Sequence, residues 1–369
     1  MIKILFFIEN LSAGGAEKVL CNLVNEMDQS KFEITVQTLW NTNPDQYLKP
    51  GIRYKSCYTK RNRINQYRSR LEAALGLTYP LHIRGNYDIE VAYLEFGPTK
   101  ILSRSTNKAA NKIAWVHSDL AHKLAGKAEI RKKVARQYAA YDKIVCVSHT
   151  AKESFVQLFG RKEVTYVLYN TVDDSSIREE SELIPQNFPP KRRLTVASVG
   201  RLSVEKQYDL LLRIHKRLLE DGLLHDLWII GEGDERSRLE AYVEENHLSE
   251  SVKLFGYREN PYPYIKTADL LVCSSLYEGL STFITEGLIL GKPIVTTECS
   301  GMQELLGDSE YGLITENSEE GLYRGLSKML MDDAVRQQYK ERAVSRGGAF
   351  SARKLTETTE RFFINTVEG

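Results

Sequence analysis

Two α/β domains, each built from alternating strands and helices, are what this sequence predicts. Three observations lead there. At 369 residues the chain is long for one hydrophobic core and comfortable for two. Short apolar, β-rich runs alternate with helix-length segments through residues 1–168, and the alternation starts afresh at residue 194. Between the two series, residues 174–193 turn acidic and then proline-rich (Pro185, Pro189, Pro190), the composition of an interdomain linker. The expected division is an N-terminal domain over 1–180, a linker over 181–193, a C-terminal domain over 194–348 and a final helical segment over 349–369.

Bulk properties narrow the function classes. Composition is that of an ordinary soluble globular protein. The net charge of +1 hides an asymmetry: residues 1–190 hold 27 Lys and Arg against 20 Asp and Glu, a net of +7, and the remainder is −6. A basic N-terminal half implies an anionic partner, a membrane surface or a phosphorylated acceptor. Nucleic acid is not expected, since no motif for it is present. The five cysteines (Cys21, Cys57, Cys146, Cys273, Cys299) are scattered with no CxxC pair, so neither a disulfide framework nor a zinc site is expected, and a reducing cytosol is. The apolar run at 4–8 is too short for a signal peptide, and no run approaches the ~20 apolar residues of a membrane span. Any membrane contact is therefore expected to be peripheral, from a cytoplasmic position on the inner face of the cell membrane.

Taken in order, residues 1–8 read as a buried parallel strand. Residues 10–17 then open a helix that runs to about Met27. The pair Gly14-Gly15 between strand and helix lets the backbone approach a ligand closely, but it is not GxGxxG, so no dinucleotide fingerprint is read. Strands follow at 32–39 and 53–58. Residues 60–70 carry five basic residues (Lys60, Arg61, Arg63, Arg68, Arg70) and no acid. Ile64, Tyr67, Leu71 and Leu75 recur there at helical spacing. Such a helix can pack on its own domain or lie on an anionic bilayer, and the two are compatible.

A strand at 88–94 precedes a helix opening over 95–102, and a strand at 112–116 ends in His117-Ser118-Asp119. A histidine just past the carboxyl end of a strand stands where ligands bind open α/β sheets. A second basic helix is expected within 119–136. Residues 143–147 and 164–168 complete the first series, with Ser148 capping a helix between them.

In the second series, a strand at 194–199 leads into Gly200-Arg201-Leu202-Ser203-Val204-Glu205-Lys206-Gln207. An Arg fork and a Lys point charge flanking such a turn suit a diphosphate. The strand at 227–230 ends in Gly231-Glu232-Gly233, but Arg236 breaks GxGxxG again. Strands at 252–255 and 270–274 follow. Helices are expected over 318–331, 334–344 and 351–366.

The richest stretch is 277–297, YEGLSTFITEGLILGKPIVTT. Glu278 and Glu286 stand eight positions apart. Ser281 or Thr282 is expected to cap a helix over 282–290, with Gly291 ending it and Pro293 preventing its continuation. The first turn offers N–H groups and a positive dipole end to an anion such as a nucleotide diphosphate, while the two carboxylates can each accept sugar hydroxyls.

This stretch resembles the donor-site signature of retaining glycosyltransferases of family 4, in which Glu-x7-Glu sits among the same Gly, Ser/Thr and Gly-Lys-Pro residues. GRLSVEKQ at 200–207 is similar to the family's GRL-x-x-x-K segment, GGAEK at 14–18 to its N-domain loop, and AWVHSDL at 114–120 to the segment whose histidine approaches the donor sugar. Gly256-Tyr257-Arg258 resembles the loop that meets the nucleotide base. Ser300-Gly301-Met302-Gln303-Glu304 stands where the family commonly has Gly-Gly-x-x-Glu.

The resemblance implies the GT-B fold, two Rossmann-like β/α/β domains facing a central cleft. The N-terminal domain would hold the acceptor and the C-terminal domain the nucleotide sugar, with the last helix crossing back to the first domain. It implies a retaining hexosyltransferase that uses a UDP-sugar as co-substrate, with no further cofactor and no metal. Arg201, Lys206 and the helix start at Ser281, Thr282 and Phe283 would hold the diphosphate. Glu278 would hold the sugar hydroxyls, Glu286 the ribose, Arg258 the base, Gly14 and Gly15 the space beneath the donor, and His117 the sugar near the reacting carbon. A lipid-linked glycan acceptor and bacterial surface-polysaccharide synthesis suit the basic N-terminal half, with helix 60–75 on an anionic membrane. An epimerase or phosphorylase of the same fold is a rival reading, though no phosphorylase cofactor-lysine motif is found. A catalytically silent subunit that scaffolds a partner is another, against which Arg201, Lys206, Glu278 and Glu286 all stand intact.

Overall fold

Strands buried on both faces of a parallel sheet read as unbroken apolar runs, and such runs, Ile4 to Ile8 and Leu270 to Cys273, lie in the middle of both sheets here. The computed structural model describes residues 1–11 and 14–369. Ser12 and Ala13, in the expected glycine loop, lie outside the described residues.

The first sheet has seven strands: β1 (Ile2–Ile8), β2 (Phe32–Trp40), β3 (Arg53–Tyr58), β4 (Ile89–Ala92), β5 (Asn111–Val116), β6 (Lys143–Cys146) and β7 (Thr165–Val167). Their spatial order is β3-β2-β1-β4-β5-β6-β7, with every pairing parallel. The second sheet has β8 (Leu194–Val199), β9 (His225–Ile230), β10 (Val252–Leu254), β11 (Leu270–Cys273), β12 (Ile294–Thr297) and β13 (Leu313–Thr315). It is again all parallel, in the order β10-β9-β8-β11-β12-β13. Each is a doubly wound, Rossmann-like sheet. In each the chain winds outward to one side, then returns to the other side of the first strand. The switch points lie between β1 and β4 and between β8 and β11.

The chain divides into two compact units, Met1–Val172 with Ala352–Gly369, and Asp173–Ser351. The first boundary therefore falls at Val172 rather than at residue 180, and 181–193 is not a loose linker. Helix Asp174–Glu180 buries Ile177 in the second unit. The Glu180 carbonyl accepts from Asn260 Nδ2 at 2.8 Å. Phe188 sets its ring against Tyr264 (4.8 Å) and Trp228 (5.8 Å). Prolines and acids mark irregular backbone, but an apolar ring inside the stretch still seeks burial.

The final helix, Ala352–Glu368, belongs to the first unit. Its Phe363 is fully buried, edge-on to Phe6 at 5.8 Å. Its Glu360 accepts the Asp28 backbone N–H at 2.7 Å.

The basic segment expected as one helix within 119–136 is two, Leu120–Lys123 and Ala128–Tyr138, separated at Gly126 with φ +70°. Helix Arg63–Leu75 turns its apolar stripe outward: Ile64 is 77% exposed, Tyr67 72% and Leu75 62%. The residues it buries are Ser69 and Glu72. Glu72 accepts from Tyr58 Oη (2.5 Å) and Arg68 Nε (2.6 Å) and meets His82 Nε2 (2.7 Å). Among the described residues no helix is long and apolar enough to cross a membrane.

Candidate active site

The loops after β8 and β11 leave the second sheet on either side of its switch point, the place where ligands of open α/β sheets bind. Lys206 comes from the first loop and Glu278 from the second. Their Nζ and Oε1 atoms stand 2.5 Å apart. Further bonds lace the loops together. Ser274 Oγ donates to the Lys206 carbonyl at 2.7 Å, Leu276 N–H to the Glu205 carbonyl at 2.8 Å, and Ser275 Oγ to Glu278 Oε1 at 2.8 Å. Burial opposes charge on Lys206, but the Glu278 carboxylate outweighs it and holds the ammonium protonated well above the ordinary lysine value.

Backbone contacts set the floor of this crevice. Leu202 N–H donates to the Glu232 carbonyl at 2.9 Å, and Gly231 N–H to the Gly256 carbonyl at 3.0 Å, so the loops after β8, β9 and β10 run side by side. Gly231 has φ +150°, and a Cβ there would stand 1.9 Å from the Gly200 carbonyl oxygen. Only glycine permits that approach. Arg201 and Arg258 are exposed on two of these loops, and neither guanidinium has a hydrogen bond or ion pair among the described residues.

Helix Thr282–Ile289 follows Glu278 directly. The sequence leads one to expect a side-chain cap from Ser281 or Thr282, and the structure corrects this. Ser281 occupies the N-cap position with extended φ/ψ, yet no side chain caps the helix. The N–H groups of Thr282, Phe283 and Ile284 meet no acceptor among the described residues. Uncapped N–H groups at the positive end of a helix dipole have the chemistry to receive an anion. Glu286 lies one turn further in and is buried, with Tyr262 Oη donating to its Oε1 at 3.3 Å. Burial, and then the Glu286 carboxylate, raise the Tyr262 phenol well above its ordinary pKa.

The remaining predicted residues belong to the first unit. Gly14 is the N-cap of helix Gly15–Glu26, just past β1, with an extended backbone that any residue adopts. A Cβ placed on Gly14 would stand 2.1 Å from the Glu17 carboxylate, the end of a flexible side chain that can turn aside. His117 follows β5 with its ring on Tyr93, centroids 4.8 Å apart. Its backbone N–H donates to Glu95 Oε1 at 2.8 Å, and its ring Nε2 is buried without a partner among the described residues. Burial pushes this imidazole down to about 4 against the pull of Glu95, so it is neutral at pH 7. Burial also opposes charge on Glu95, but the nearby Lys123 ammonium and the Ser118 hydroxyl are among the groups that hold its carboxyl below the ordinary range.

Of the predicted donor-site residues, then, the structure brings Lys206 and Glu278 into contact and sets Glu286 on the helix that begins just beyond them. Sequence reasoning missed Ser275 and Tyr262, which bond the Glu278 and Glu286 carboxylates, Ser274, which bonds the Lys206 backbone, and Glu95, which bonds that of His117. Only Ser275, three residues before Glu278, carried even a local signal. Among the described residues no group of three or more His, Cys, Asp or Glu side chains is placed to hold a metal ion.

Two family models match the chain in succession: Glycosyltransferase Family 4 over residues 13–176, and Glycosyl transferases group 1 over residues 179–346. A Campylobacter jejuni protein named N-acetylgalactosamine-N,N'-diacetylbacillosaminyl-diphospho-undecaprenol 4-alpha-N-acetylgalactosaminyltransferase is 33% identical over 62% of this chain and 61% of its own length. The lipopolysaccharide core biosynthesis glycosyltransferase LpsE of Rhizobium meliloti is 30% identical over 44% of this chain and 47% of its own. The chain thus spans less than two thirds of either relative. The amylovoran biosynthesis glycosyltransferase AmsD of Erwinia amylovora matches at 22% identity over 93% of this chain and 94% of its own. Among solved structures, Anabaena HepE in complex with UDP-glucose superposes with a TM-score of 0.77 at 17% identity, covering 99% of this chain and 100% of that one. A mutant of S. aureus TarM, solved with UDP among its ligands, gives 0.79 at 13%, covering 100% of both chains. At such identities the structures establish a shared fold.

Proposed function

The chain belongs to glycosyltransferase family 4, and from that premise we propose that it moves a hexose or N-acetylhexosamine from a UDP-sugar to a lipid-linked glycan acceptor, with retention of anomeric configuration and without a metal, in bacterial surface-polysaccharide synthesis. The observation that carries this reading is the Lys206–Glu278 pair at the switch point, beside a helix start whose N–H groups are uncapped. The HepE complex with UDP-glucose supports the donor class, and the diphospho-undecaprenol in the name of the Campylobacter relative supports the acceptor class.

Each residue then has a defined task. A donor diphosphate competes with Glu278 for the Lys206 ammonium. Lys206, Arg201 and the N–H groups of Thr282 and Phe283 take up the phosphate charge, which grows as the glycosidic bond breaks. Glu278, released from Lys206, accepts sugar hydroxyls; Glu286 accepts those of the ribose. The neutral imidazole of His117 lends Nε2 to the sugar. The acceptor hydroxyl oxygen bonds to the anomeric carbon on the face that the diphosphate leaves, and its proton passes to the departing phosphate oxygen. No separate carboxylate base is needed, and UDP serves as the leaving group without a resident cofactor.

The outward stripe of helix Arg63–Leu75 supports a peripheral position on the inner face of the cell membrane. Exposed Ile64, Tyr67, Leu71 and Leu75 stand among Lys60, Arg61, Arg63 and Arg70, an apolar strip with a basic border suited to anionic lipid.

The decisive experiment measures nucleotide release from UDP-, GDP- and ADP-sugars, with and without EDTA, for the wild type, Arg201→Ala and Glu278→Ala. Slow hydrolysis of one UDP-sugar, insensitive to EDTA and lost in both variants, is expected. Failure to bind any donor would overturn the assignment and favour a non-catalytic scaffold.

A further inference from the structure

The turn that carries Glu278 is held from the neighbouring strand by a residue that no step above uses. Among the described residues, every bond that the Glu278 carboxylate makes falls on one oxygen. Oε1 accepts from Lys206 Nζ (2.5 Å) and Ser275 Oγ (2.8 Å), with the Cys273 thiol at 4.0 Å. Oε2 is left as the oxygen open to a ligand hydroxyl. The direction of the carboxylate therefore depends on the course of residues 274–278.

The sheet does not fix that course. β11 ends at Cys273, which stands opposite Thr296 of β12, and the ladder between the two strands stops there. Ser275 lies two residues further on and is buried. A buried backbone carbonyl past the end of a ladder needs a donor from elsewhere. Among the described residues no backbone N–H reaches the Ser275 carbonyl. The hydroxyl of Thr297, the last residue of β12, donates to it at 2.7 Å, and Thr297 is fully buried. The same hydroxyl lies 3.5 Å from the Cys273 carbonyl. Asn317 Nδ2, on the loop after β13, also approaches the Ser275 carbonyl, but at 3.5 Å. It is exposed and shared with the carbonyls of Leu276 (3.4 Å) and Glu298 (3.3 Å). One short bond away from water outweighs these long ones in contact with it.

Resting on the transferase reading above, we propose that Thr297 is a positioning residue for sugar transfer: its hydroxyl clamps the Ser275 carbonyl, and Ser275 Oγ in turn sets Glu278 for the hydroxyls of the donor sugar. Thr297 itself touches neither sugar nor phosphate. Valine has nearly the shape of threonine without the hydroxyl. Thr297→Val therefore leaves the Ser275 carbonyl without its short bond while keeping the space filled, and Thr297→Ser keeps the bond.

The test follows nucleotide release by the full chain from the UDP-sugar that the wild type hydrolyses. Thr297→Val is expected to lower kcat about tenfold, the scale of one lost hydrogen bond, and Thr297→Ser to restore it. Asn317→Ala should cost less than Thr297→Val. In a Glu278→Gln background Thr297→Val should cost little more, because a residue that acts through Glu278 has nothing left to position. Amide exchange reads the clamp without turnover. The Leu276 N–H, bonded to the Glu205 carbonyl, should exchange faster in Thr297→Val and at the wild-type rate in Thr297→Ser. The proposal is overturned if Thr297→Val keeps the wild-type kcat, if it costs as much in the Glu278→Gln background as in the wild type, if Thr297→Ser fails to restore release, or if Leu276 exchanges alike in all three proteins. Absence of hydrolysis of every UDP-sugar by the wild type would instead strike the transferase reading, and the exchange rates would then decide by themselves whether Thr297 holds the turn.

Discussion

Lys206 and Glu278, from loops 72 residues apart in sequence, close a 2.5 Å ion pair across the switch point of the second sheet. Both side chains are mostly buried, so each charge depends on the other for stabilisation. Lys206→Met leaves Glu278 without its cation, and Glu278→Gln does the converse. Lys206→Met removes a cation from the developing diphosphate charge and is expected to lower nucleotide release by ~10²–10³-fold; Glu278→Gln, which weakens the acceptor for the sugar hydroxyls, is expected to lower it as well. The single variants should also melt below the wild type, and the double variant should regain part of that loss. A double-mutant cycle on thermal unfolding and nucleotide release checks both statements.

Gly231→Ala forces a methyl group against the Gly200 carbonyl, 1.9 Å from the ideal Cβ position. The loop that carries Arg201 must shift to admit it. Weaker donor binding is expected, together with a loss of stability of about 1–3 kcal/mol, typical of overpacking. Calorimetric titration with UDP and a denaturant melt read the two effects separately.

His215 and His225 form a buried neutral pair, Nδ1 to Nε2 at 2.8 Å, that continues to Ser251 Oγ at 2.9 Å and the Leu223 carbonyl at 2.7 Å. Burial pushes His215 from 6.5 to about 3 and lowers His225 as well, in each case favouring the uncharged ring. The unfolded chain takes up protons below about 6.5 that the folded chain refuses until about 3. Stability is therefore full above pH 6.5 and falls as pH drops toward 3, by up to about 1.4 kcal/mol per pH unit for one histidine. Urea unfolding of the wild type and His215→Gln at pH 7 and pH 5 should show a smaller pH dependence in the variant.

Ile64 and Tyr67 are largely exposed on helix Arg63–Leu75, so replacing them should leave the fold intact. The wild type is expected to sediment with phosphatidylglycerol vesicles and not with phosphatidylcholine vesicles. Ile64→Asp with Tyr67→Asp should abolish that binding. Arg61→Ala with Arg63→Ala should weaken it by about 1 kcal/mol per charge at low salt. Vesicle co-sedimentation at two salt concentrations reads both.

Glu72 anchors the same helix through Tyr58, Arg68 and His82. Burial opposes its charge, but those three donors win and hold the carboxyl below its ordinary value. Glu72→Ala leaves buried polar partners unmatched, at a cost of about 1–3 kcal/mol. Amide exchange should quicken across residues 63–82 while the β1–β5 core keeps its protection.

Much of this was legible in the residues themselves. Unbroken apolar runs such as ILFFI at 4–8 announce parallel strands buried on both faces, because no other element needs so short a run with no polar alternation. Gly291 and Pro293 announce the end of the helix before β12, because only special backbone residues end a helix so sharply. Arg201, Lys206, Glu278 and Glu286 were identifiable as candidates from their charge, from the glycine-marked turns beside them and from the resemblance of those stretches to family 4 segments. The neutral state of His117 and the bond from Tyr262 to Glu286 were not, since both depend on burial by distant segments.

What the sequence by itself determined is the α/β alternation, the two strand series and the charged residues available to a site. These are properties of segments, encoded in local periodicity and in backbone-restricting residues. The tertiary structure alone decided that Lys206 meets Glu278, that Ser281 leaves its helix uncapped, that the stripe on helix Arg63–Leu75 faces outward around a buried Glu72, and that residues 173–193 join the second unit. Each of these is a choice of partner. Periodicity shows that a helix has two faces, but which face is buried depends on what strands distant in sequence bring to it once the sheet closes.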